Sequence, residues 1–466
     1  MPGSDQLYRK YLHEVNEKDI GTISRVLKER PISITVDETP EIRGRPAVAV
    51  LATFYDDDLP GCKTLIIDLQ VLQQCNAVSV GMLIQASLQK VGKTLADVAV
   101  LSSYMQTLHK DLQLSSPEFK AFHFKDPCHL LNNVLDDGLK TDSFVVVHDF
   151  VVHFPALLKP SRELRRKFGL VCTSMGMKIK CLSTVSPSRW FSFHEALEDI
   201  LDYWRAILSF LRSDDAKGKK CEKLQALVSS PDDVHDLLIK LKFLKTNSSA
   251  VLSIIKELEA ESTLVYEVYP ILGVRFCALL SQWRDPSETS LTSDVASLLD
   301  LLDECNRSRT IADLHEYYAA VTRKWSQTVE RNLADELKYT SESFWYNVQI
   351  VNPNVKLELP RPFENYEHIF RLVFLETDDM RQLIDDFGNY QSYAIPNIVD
   401  PLSFWKLHAV QWPVLSRCAL RLLALPVSSA NVERAFSMLR VISRKERAAM
   451  SDANLVKYAC IYYNKL

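Results

Sequence analysis

Short stretches with apolar residues at helical spacing follow one another in the segment 401–466. Leu415 and Leu422 belong to the first of them, which predicts a helix with one apolar face. Pro426 follows and ends that helix, because proline lacks a backbone N–H. Two more helices are predicted, one around Phe436 and one near the end of the chain. Helices this short cannot bury such faces alone, so they must pack on the rest of the chain, on a second copy, or on both.

Near the beginning of the chain the pattern is typical of β-strands. Three runs rich in β-branched residues are separated by polar turns, which predicts strands over 32–36, 47–55 and 64–69. A helix is predicted over 78–91. The apolar run 97–101 predicts a fourth strand, buried on both faces.

The remaining patterns are mostly helical. Apolar residues spaced among charged ones predict a helix in 1–30. The valine-rich stretch 144–168 is compatible with a strand, but its length and its basic end favour a helix. The segment 177–185 is the candidate for a fifth strand. From 190 to about 400 the patterns are helical, and a proline-rich linker is predicted around 352–362.

Composition and charge narrow the function classes. The chain has 466 residues, of which 47% are hydrophobic and 24% charged, as in ordinary folded proteins of two or three domains. Its 12 glycines disfavour glycine-rich nucleotide-binding folds. A net charge of -4 argues against a polybasic DNA binder, although it leaves room for a local basic groove. Scattered cysteines without C-x-x-C pairs, and no apolar signal or membrane segment, predict a soluble intracellular protein.

The stretch LPVSSANVERAFSMLRVISRKERAAMS, at 425–451, carries a long ordered motif. It resembles the C-terminal dimerisation block of hAT-superfamily transposases and their domesticated relatives. Val432 stands where that family usually has Ser, and Met450 where it usually has Leu. The positions that match the family pattern are Pro426, Ser428, Ser429, Glu433, Arg434, Phe436, Ser437, Arg447 and Ser451.

This resemblance implies a fold that is α/β plus α. An RNase H-like mixed sheet would be interrupted by a large all-helical insertion and completed by a C-terminal helical dimerisation region. The domains expected are an N-terminal helical segment 1–30, the first part of the core 31–190, the insertion 191–400 and the dimerisation region 401–466. Relatives usually carry a zinc-binding finger ahead of the core. No such Cys/His spacing occurs in 1–30, so sequence-specific DNA reading by this chain alone is not expected.

The catalytic acids that the resemblance implies are incomplete. An RNase H-like nuclease needs three carboxylates that converge on two divalent metal ions. The family pattern places the first at Asp37, after the first strand, and the third at Glu433. The second falls on Val100 or Ser102, after the start of the fourth strand, and neither is a carboxylate. We therefore expect vestigial acids, no metal site and no cofactor, with Mg²⁺ required only if catalysis is retained.

Two other acids, Asp97 and Asp136, are alternatives for the missing second carboxylate. Asp97 precedes the fourth strand and would lie at its opposite end, about 10 Å or more away at roughly 3.3 Å of rise per residue. Asp136 follows PCHLLNN, a segment similar to the family's Cys-x-x-His-x-Leu-Asn. There Cys128 adjoins His129 instead of preceding it by three residues, so no metal role is expected for this histidine.

The resemblance also suggests contacts with DNA. The PSRW segment matches the family's Thr-Arg-Trp, whose Trp stacks on a flipped base in active transposases. For Trp190 we favour the alternative, an anchor between two domains. The candidate DNA-contacting residues are Trp190, Arg189, Arg434 and Arg447.

We thus interpret the chain as a degenerate or domesticated hAT-type transposase that dimerises with itself or with related hAT-type proteins, with residual nucleic-acid binding. The alternatives are an active metal-dependent DNA transposase or nuclease, and a nuclear transcription or chromatin adaptor. The expected location is the nucleus, and also the cytoplasm. The apolar residues proposed for the dimer interface are Trp405, Trp412, Leu415, Leu422, Phe436 and Leu439.

Overall fold

A computed structural model describes residues 10–40, 45–56, 61–103, 105–185, 192–284, 291–331, 333, 338–360, 362–395, 397–442 and 451–464. The described residues form a mixed sheet of five strands and many helices. The strands are β1 Ile32–Pro40, β2 Pro46–Asp56, β3 Gly61–Val71, β4 Val98–Ser102 and β5 Phe122–Phe124. Their order is β3-β2-β1-β4-β5. The pairs β3–β2 and β2–β1 are antiparallel, and the pairs β1–β4 and β4–β5 are parallel.

The first ten helices run from the N-terminal part into the middle of the chain. They are α1 Leu12–Leu27, α2 Ala77–Lys90, α3 Gln106–Ser115, α4 Pro127–Leu139, α5 Asp142–Leu158, α6 Arg162–Ser174, α7 Ser192–Asp202, α8 Trp204–Leu211, α9 Lys219–Ala226 and α10 Pro231–Leu258. The remaining helices are α11 Cys277–Arg284, α12 Ser293–Leu299, α13 Glu304–Trp325, α14 Phe344–Asn347, α15 Glu367–Arg371, α16 Met380–Ser392, α17 Pro401–Leu407, α18 Pro413–Leu423, α19 Ala430–Ile442 and α20 Asp452–Asn464. Among the described residues, no single helix is long and apolar enough to span a bilayer, and only the bent pair α4 and α5 reaches that composition when taken together.

The four strands predicted near the N-terminus are confirmed, and so is the helical interpretation of 144–168, which α5 and α6 cover. The fifth strand predicted at 177–185 is wrong. That segment has no regular structure, because its polar groups bond to the α7–α8 region. The Asp199 carboxylate accepts from Ser183 N at 2.6 Å and from Lys180 Nζ at 2.5 Å. The fifth strand is instead the short β5.

The sheet is covered on both faces. Side chains alternate along β2, so Val50 faces a cluster that includes Ile84 of α2, while Leu51 faces one that includes Phe436 of α19 and Leu455 of α20. Helices α1 and α3 contribute to the first cluster. Burial on both faces explains why β2 is almost continuously apolar instead of alternating with polar residues.

The chain divides into two compact units. The sheet unit comprises residues 1–129, 257–273 and 334–466. The helical unit comprises 130–256 and 274–333. Residues 334–400, expected in the helical insertion, belong to the sheet unit, because Phe344 and Trp345 pack on Phe124 of β5 at ring-centroid distances of 5.0 and 4.6 Å.

The helical unit has an aromatic interior of its own. Phe144 of α5, Phe243 of α10 and Tyr317 of α13 meet at ring-centroid distances of 4.9 to 5.9 Å. Gly138 of α4 lies directly on this group, since a Cβ atom there would be 2.4 Å from the Tyr317 ring. Glycine at this position therefore allows α4 to approach α13 closely.

The C-terminal helices enclose a second aromatic cluster, within the sheet unit. Trp405 and Trp412 pack against Tyr390 of α16 at ring-centroid distances of 4.8 and 5.8 Å. Trp405 Nε1 donates a 2.7 Å hydrogen bond to Val351 O. The carboxylate of Asp386 accepts from the backbone N–H of Val414 at 3.0 Å and so caps the start of α18.

Candidate functional site

The candidate site lies in the sheet unit, at the carboxyl ends of the parallel strands. Thr35 of β1 pairs with Ser102 of β4, and Ser102 pairs with Phe124 of β5, so the three residues form one row across the sheet. Asp37 and Asp126 each follow that row by two residues. The two acids therefore lie at the same edge of the sheet, with β4 between their strands. Neighbouring strands are about 4.8 Å apart.

Asp37 is buried in β1, two residues beyond the row. Its contacts come from its own strand and from α4. Its Oδ1 accepts a 2.8 Å hydrogen bond from Glu38 N. His129, in the first turn of α4, places Nε2 3.7 Å from Asp37 Oδ2, which is within ion-pair range. The first predicted acid therefore lies beside a histidine that the sequence did not connect with it.

His129 lies among several acids. Burial by itself lowers the pKa of the imidazole, but Asp37, Asp126 and Glu433 together raise the pKa above its ordinary value. The protonated imidazolium is therefore favoured. The histidine brings positive charge into a group of carboxylates.

Glu433 comes from α19, which packs over the sheet face that carries Asp37. Burial raises its pKa to about 7, and the negative charges of Asp37 and Asp126 act in the same direction. Arg440 and His129 oppose that shift. The third predicted acid thus lies within electrostatic range of the first, as expected for the family pattern.

Asp126 is the acid that the sequence analysis missed at this edge. Its Oδ1 accepts from Cys128 N at 2.7 Å, and its Oδ2 accepts from Ser429 N at 2.9 Å. The Ser429 hydroxyl donates to the same Oδ2. Both carboxylate oxygens are therefore engaged in joining the start of α4 to the turn before α19.

Glu259, which directly follows α10, adds a further carboxylate. Burial raises its pKa to about 7, and the charges of Asp126 and Glu433 contribute to the shift. A groove of ≈ 500 Å³ borders this residue, and Ser428, Arg434 and Tyr463 help to line it. Together, Asp37, Asp126, Glu259, Glu433 and His129 form what we call the acid cluster.

The acid cluster does not fit a divalent metal as it stands. In the part of the chain that the structure describes, no three His, Cys, Asp or Glu side chains converge closely enough to hold an ion. The strand between the two acids ends in Ser102 and Ser103, and Ser103 Oγ lies 3.3 Å from His123 Nε2. A hydroxyl engaged with a neighbouring histidine is a poor substitute for a charged oxygen ligand.

The two replacement acids considered from the sequence do not supply the missing ligand. Asp97 lies before β4, where its carboxylate accepts from Thr94 N at 2.8 Å and from Lys93 Nζ at 3.0 Å. It therefore lies at the opposite end of the strand, as the spacing predicted. Asp136 belongs to the helical unit, where Asn132 Nδ2 lies 3.5 Å from it.

One of the four predicted DNA-contacting residues lies among the described residues. Trp190, Arg189 and Arg447 lie outside the described residues. Arg434 is described, and its guanidinium donates to Asn431 Oδ1 at 2.6 Å and to Glu259 O at 2.8 Å. These bonds give Arg434 a structural role within the sheet unit.

The residues predicted to form the dimer interface lie in the interior of the single chain. Trp405, Trp412, Leu415, Leu422, Phe436 and Leu439 are all buried within the chain. Phe436 and Leu439 pack on the sheet, and the two tryptophans fill the C-terminal aromatic cluster. In this conformation none of the six side chains is exposed to a partner, because the short helices use their apolar faces to cover the chain's own core.

Of the two acids that the sequence analysis missed, Asp126 has a local sequence signal and Glu259 has none. Asp126 follows β5, and a strand of only three residues is too short for any periodicity to mark it. The Asp-Pro pair at the start of α4 is the local signal, since Asp before a proline at the first helical position is a typical cap. Glu259 has no such signal, because its position depends on where α10 ends.

The C-terminal part of the chain is similar to a known protein family. Residues 377–464 match the hAT family C-terminal dimerisation region, which covers α16 to α20. No curated protein matches the chain. The matched region supplies Glu433 to the acid cluster and the helices that cover one face of the sheet. This match supports derivation of the chain from the hAT superfamily of transposases, whose C-terminal dimerisation region residues 377–464 resemble.

Proposed function

We propose that this protein is a dimerisation scaffold derived from a hAT transposase, with an RNase H-like core that no longer cuts DNA. The strand order β3-β2-β1-β4-β5, with three antiparallel strands followed by two parallel ones, supports that assignment of the core. The matched dimerisation region supports self-association or pairing with related hAT-type proteins. Activity has to be argued from the site rather than from the fold.

The proposed loss of catalysis rests on the residues of β4, the strand between those of Asp37 and Asp126. The sequence from Val98 to Met105 contains no carboxylate, so β4 offers no metal ligand next to Asp37. Asp126, the acid at the same edge, has both oxygens occupied by three hydrogen bonds. His129 lies against Asp37 and contributes positive charge near the acids. A two-metal mechanism needs free carboxylate oxygens at these places.

Two further properties belong to the same proposal. The protein acts in the nucleus, where its hAT-type partners or a DNA-reading partner would bring it to DNA. Contacts with nucleic acid are residual, because Arg434 is engaged within the chain. Trp190, Arg189 and Arg447 remain candidates for such contacts.

The test combines oligomeric state with nuclease activity. Size-exclusion chromatography with light scattering should give the mass of a dimer for the full chain. Incubation with linear DNA ends and Mg²⁺ or Mn²⁺ should produce no more cleavage than the Asp37→Ala variant. A monomer at every concentration would contradict the scaffold, and metal-dependent cleavage that Asp37→Ala removes would contradict the loss of catalysis.

A second candidate function, metal-dependent DNA cleavage, is favoured by one specific observation. The pKa values of Glu259 and Glu433 are both raised to about 7 by burial and by neighbouring acids. Like-charged carboxylates held together in this way are a recurring property of functional sites. The discriminating measurement is binding of Mn²⁺ by calorimetry. Binding that Glu433→Gln weakens at least tenfold would favour this candidate over the scaffold.

A further inference from the structure

The apolar residues of the matched region 377–464 fall into two sets. The first set is buried, and it includes all six residues expected at the dimer interface. The second set points to solvent, and its three most exposed members are Ile398 at 93%, Leu407 at 79% and Val410 at 95%. Single exposed aliphatic residues are common on protein surfaces, but three so close in sequence form a more unusual group.

A fourth exposed aliphatic residue, Leu357, lies in a 3₁₀ helix that contacts both α17 and the residue after Ile398. The Asn354 side chain bonds to both backbone groups of Val399, at 2.9 Å each. This joins the 3₁₀ helix Pro353–Glu358, which carries Leu357 at 73% exposure, to the residue after Ile398. We call Leu357, Ile398, Leu407 and Val410 the exposed apolar patch.

The backbone under the exposed apolar patch is firmly held. Asp400 caps α17 by accepting from Ser403 N at 2.8 Å. Just after α17, the His408 ring stacks on buried Trp412 at a centroid distance of 4.8 Å. Leu407 and Val410 flank this histidine in sequence. A surface that is ordered before association loses little conformational entropy when a partner binds.

We propose that the exposed apolar patch is the surface through which a second copy of this chain packs. The inference rests on the proposed dimerisation function and specifies where it occurs. Three of the four residues lie in the region matched to a dimerisation family. The buried apolar residues of that region already cover the chain's own core, whereas its most exposed apolar residues have no cover in the single chain. In a twofold dimer the same patch meets itself, and an uncharged aliphatic surface is self-complementary.

The test uses the full chain with Leu407→Asp and Val410→Asp combined. Two carboxylates on each copy would face those of the other copy, so we expect the dimer dissociation constant to rise at least a hundredfold. Analytical ultracentrifugation measures that constant. Circular dichroism and the melting temperature should stay unchanged, since both side chains lie in solvent in the isolated chain. Leu114→Asp is the matched control, because Leu114 in α3 is 85% exposed but lies outside the matched region.

The outcomes separate this inference from the proposed function. If the wild type is a dimer and the double variant dimerises equally well, the patch is wrong while the scaffold stands. A wild type that stays monomeric refutes the scaffold and the patch together. Should the double variant not fold, Val410→Cys replaces it. Oxidation should then cross-link two copies more than in the wild type, and equal cross-linking would overturn the proposal.

Discussion

The acid cluster and the C-terminal aromatic cluster are both buried in the sheet unit, but burial has opposite consequences in them. In the aromatic cluster, Trp405 and its neighbours remove apolar surface from water, and Trp405 Nε1 bonds to Val351 O. In the acid cluster, burial disfavours ionised carboxyls and raises the pKa of Glu259 and Glu433 to about 7. One region stabilises the fold, and the other is retained at a cost in stability.

This difference distinguishes a candidate functional site from a structural core. Packing alone gives no reason to gather carboxyls beside His129 and Asp37, because apolar residues would fill that space with less electrostatic strain. Conflicts between local energetics and the fold concentrate at functional sites. The acid cluster therefore has the properties of a functional site. The aromatic cluster has those of a structural core.

The largest effect expected is that of Phe436→Asp, which places a charge in the buried face of the helix that supplies Glu433 to the acid cluster. Phe436 packs on the sheet from the same helix that carries Glu433. An unpaired charge there should destabilise the fold by about 4 kcal/mol or more and abolish folding or self-association. Thermal denaturation and light scattering measure the effect. Val441→Asp, on the exposed side of this helix, is the control. A well-folded and fully associating Phe436→Asp variant would contradict the packing described here.

The next largest effect is expected for Trp405→Ala in the aromatic cluster. Removing this buried ring should lower the free energy of unfolding by about 3 to 5 kcal/mol, since a cavity replaces the lost contacts. Urea denaturation checks the value. Ile398→Ala, at an exposed position nearby, should change it by no more than about 0.5 kcal/mol. Equal effects of the two substitutions would mean that the cluster does not stabilise the fold.

A smaller effect is expected for Asp126→Ala in the acid cluster. The variant leaves Cys128 N and Ser429 N without their acceptor, which should destabilise the protein by about 1 to 3 kcal/mol. It also removes a negative charge that raises the pKa of Glu433 and Glu259. The loss should therefore be smaller at mildly alkaline than at mildly acidic pH. A loss that is independent of pH would indicate that Asp126 acts only through its hydrogen bonds.

The effect expected for Glu433→Gln is no larger than that of Asp126→Ala, is stabilising, and is present only at the higher pH. Folding raises the pKa of Glu433 from 4.5 to about 7, so its contribution is fully present below the ordinary value and is lost as pH rises through about 7. The variant cannot ionise, so it should be more stable than the wild type by about 1 to 3 kcal/mol near pH 8 and similar near pH 5. Urea denaturation across this range tests it. A variant less stable at both pH values would show that ionised Glu433 is stabilising.

The raised pKa of His129 affects stability in the same direction. A histidine with a raised folded pKa contributes stability at low pH that is lost as pH rises through that pKa. The stability of Glu433→Gln should therefore still fall as pH rises, and the raised pKa of Glu259 adds to this dependence. The slope is a property of the whole acid cluster.

The sequence by itself determined the strands β1 to β4, the helical character of 144–168 and the similarity of the C-terminal part to the hAT dimerisation region, because each depends on local periodicity or on an ordered motif. It also brought Asp37 and Glu433 to attention as candidate acids. Only the tertiary structure decided that Asp126 and Glu259 join them, since β5 is too short to leave a pattern and the end of α10 depends on packing. The structure likewise decided that Trp405 and Trp412 are internal while Leu407 and Val410 are exposed. Periodicity identifies an apolar face, but the partner against which that face packs comes from elements far away in the sequence.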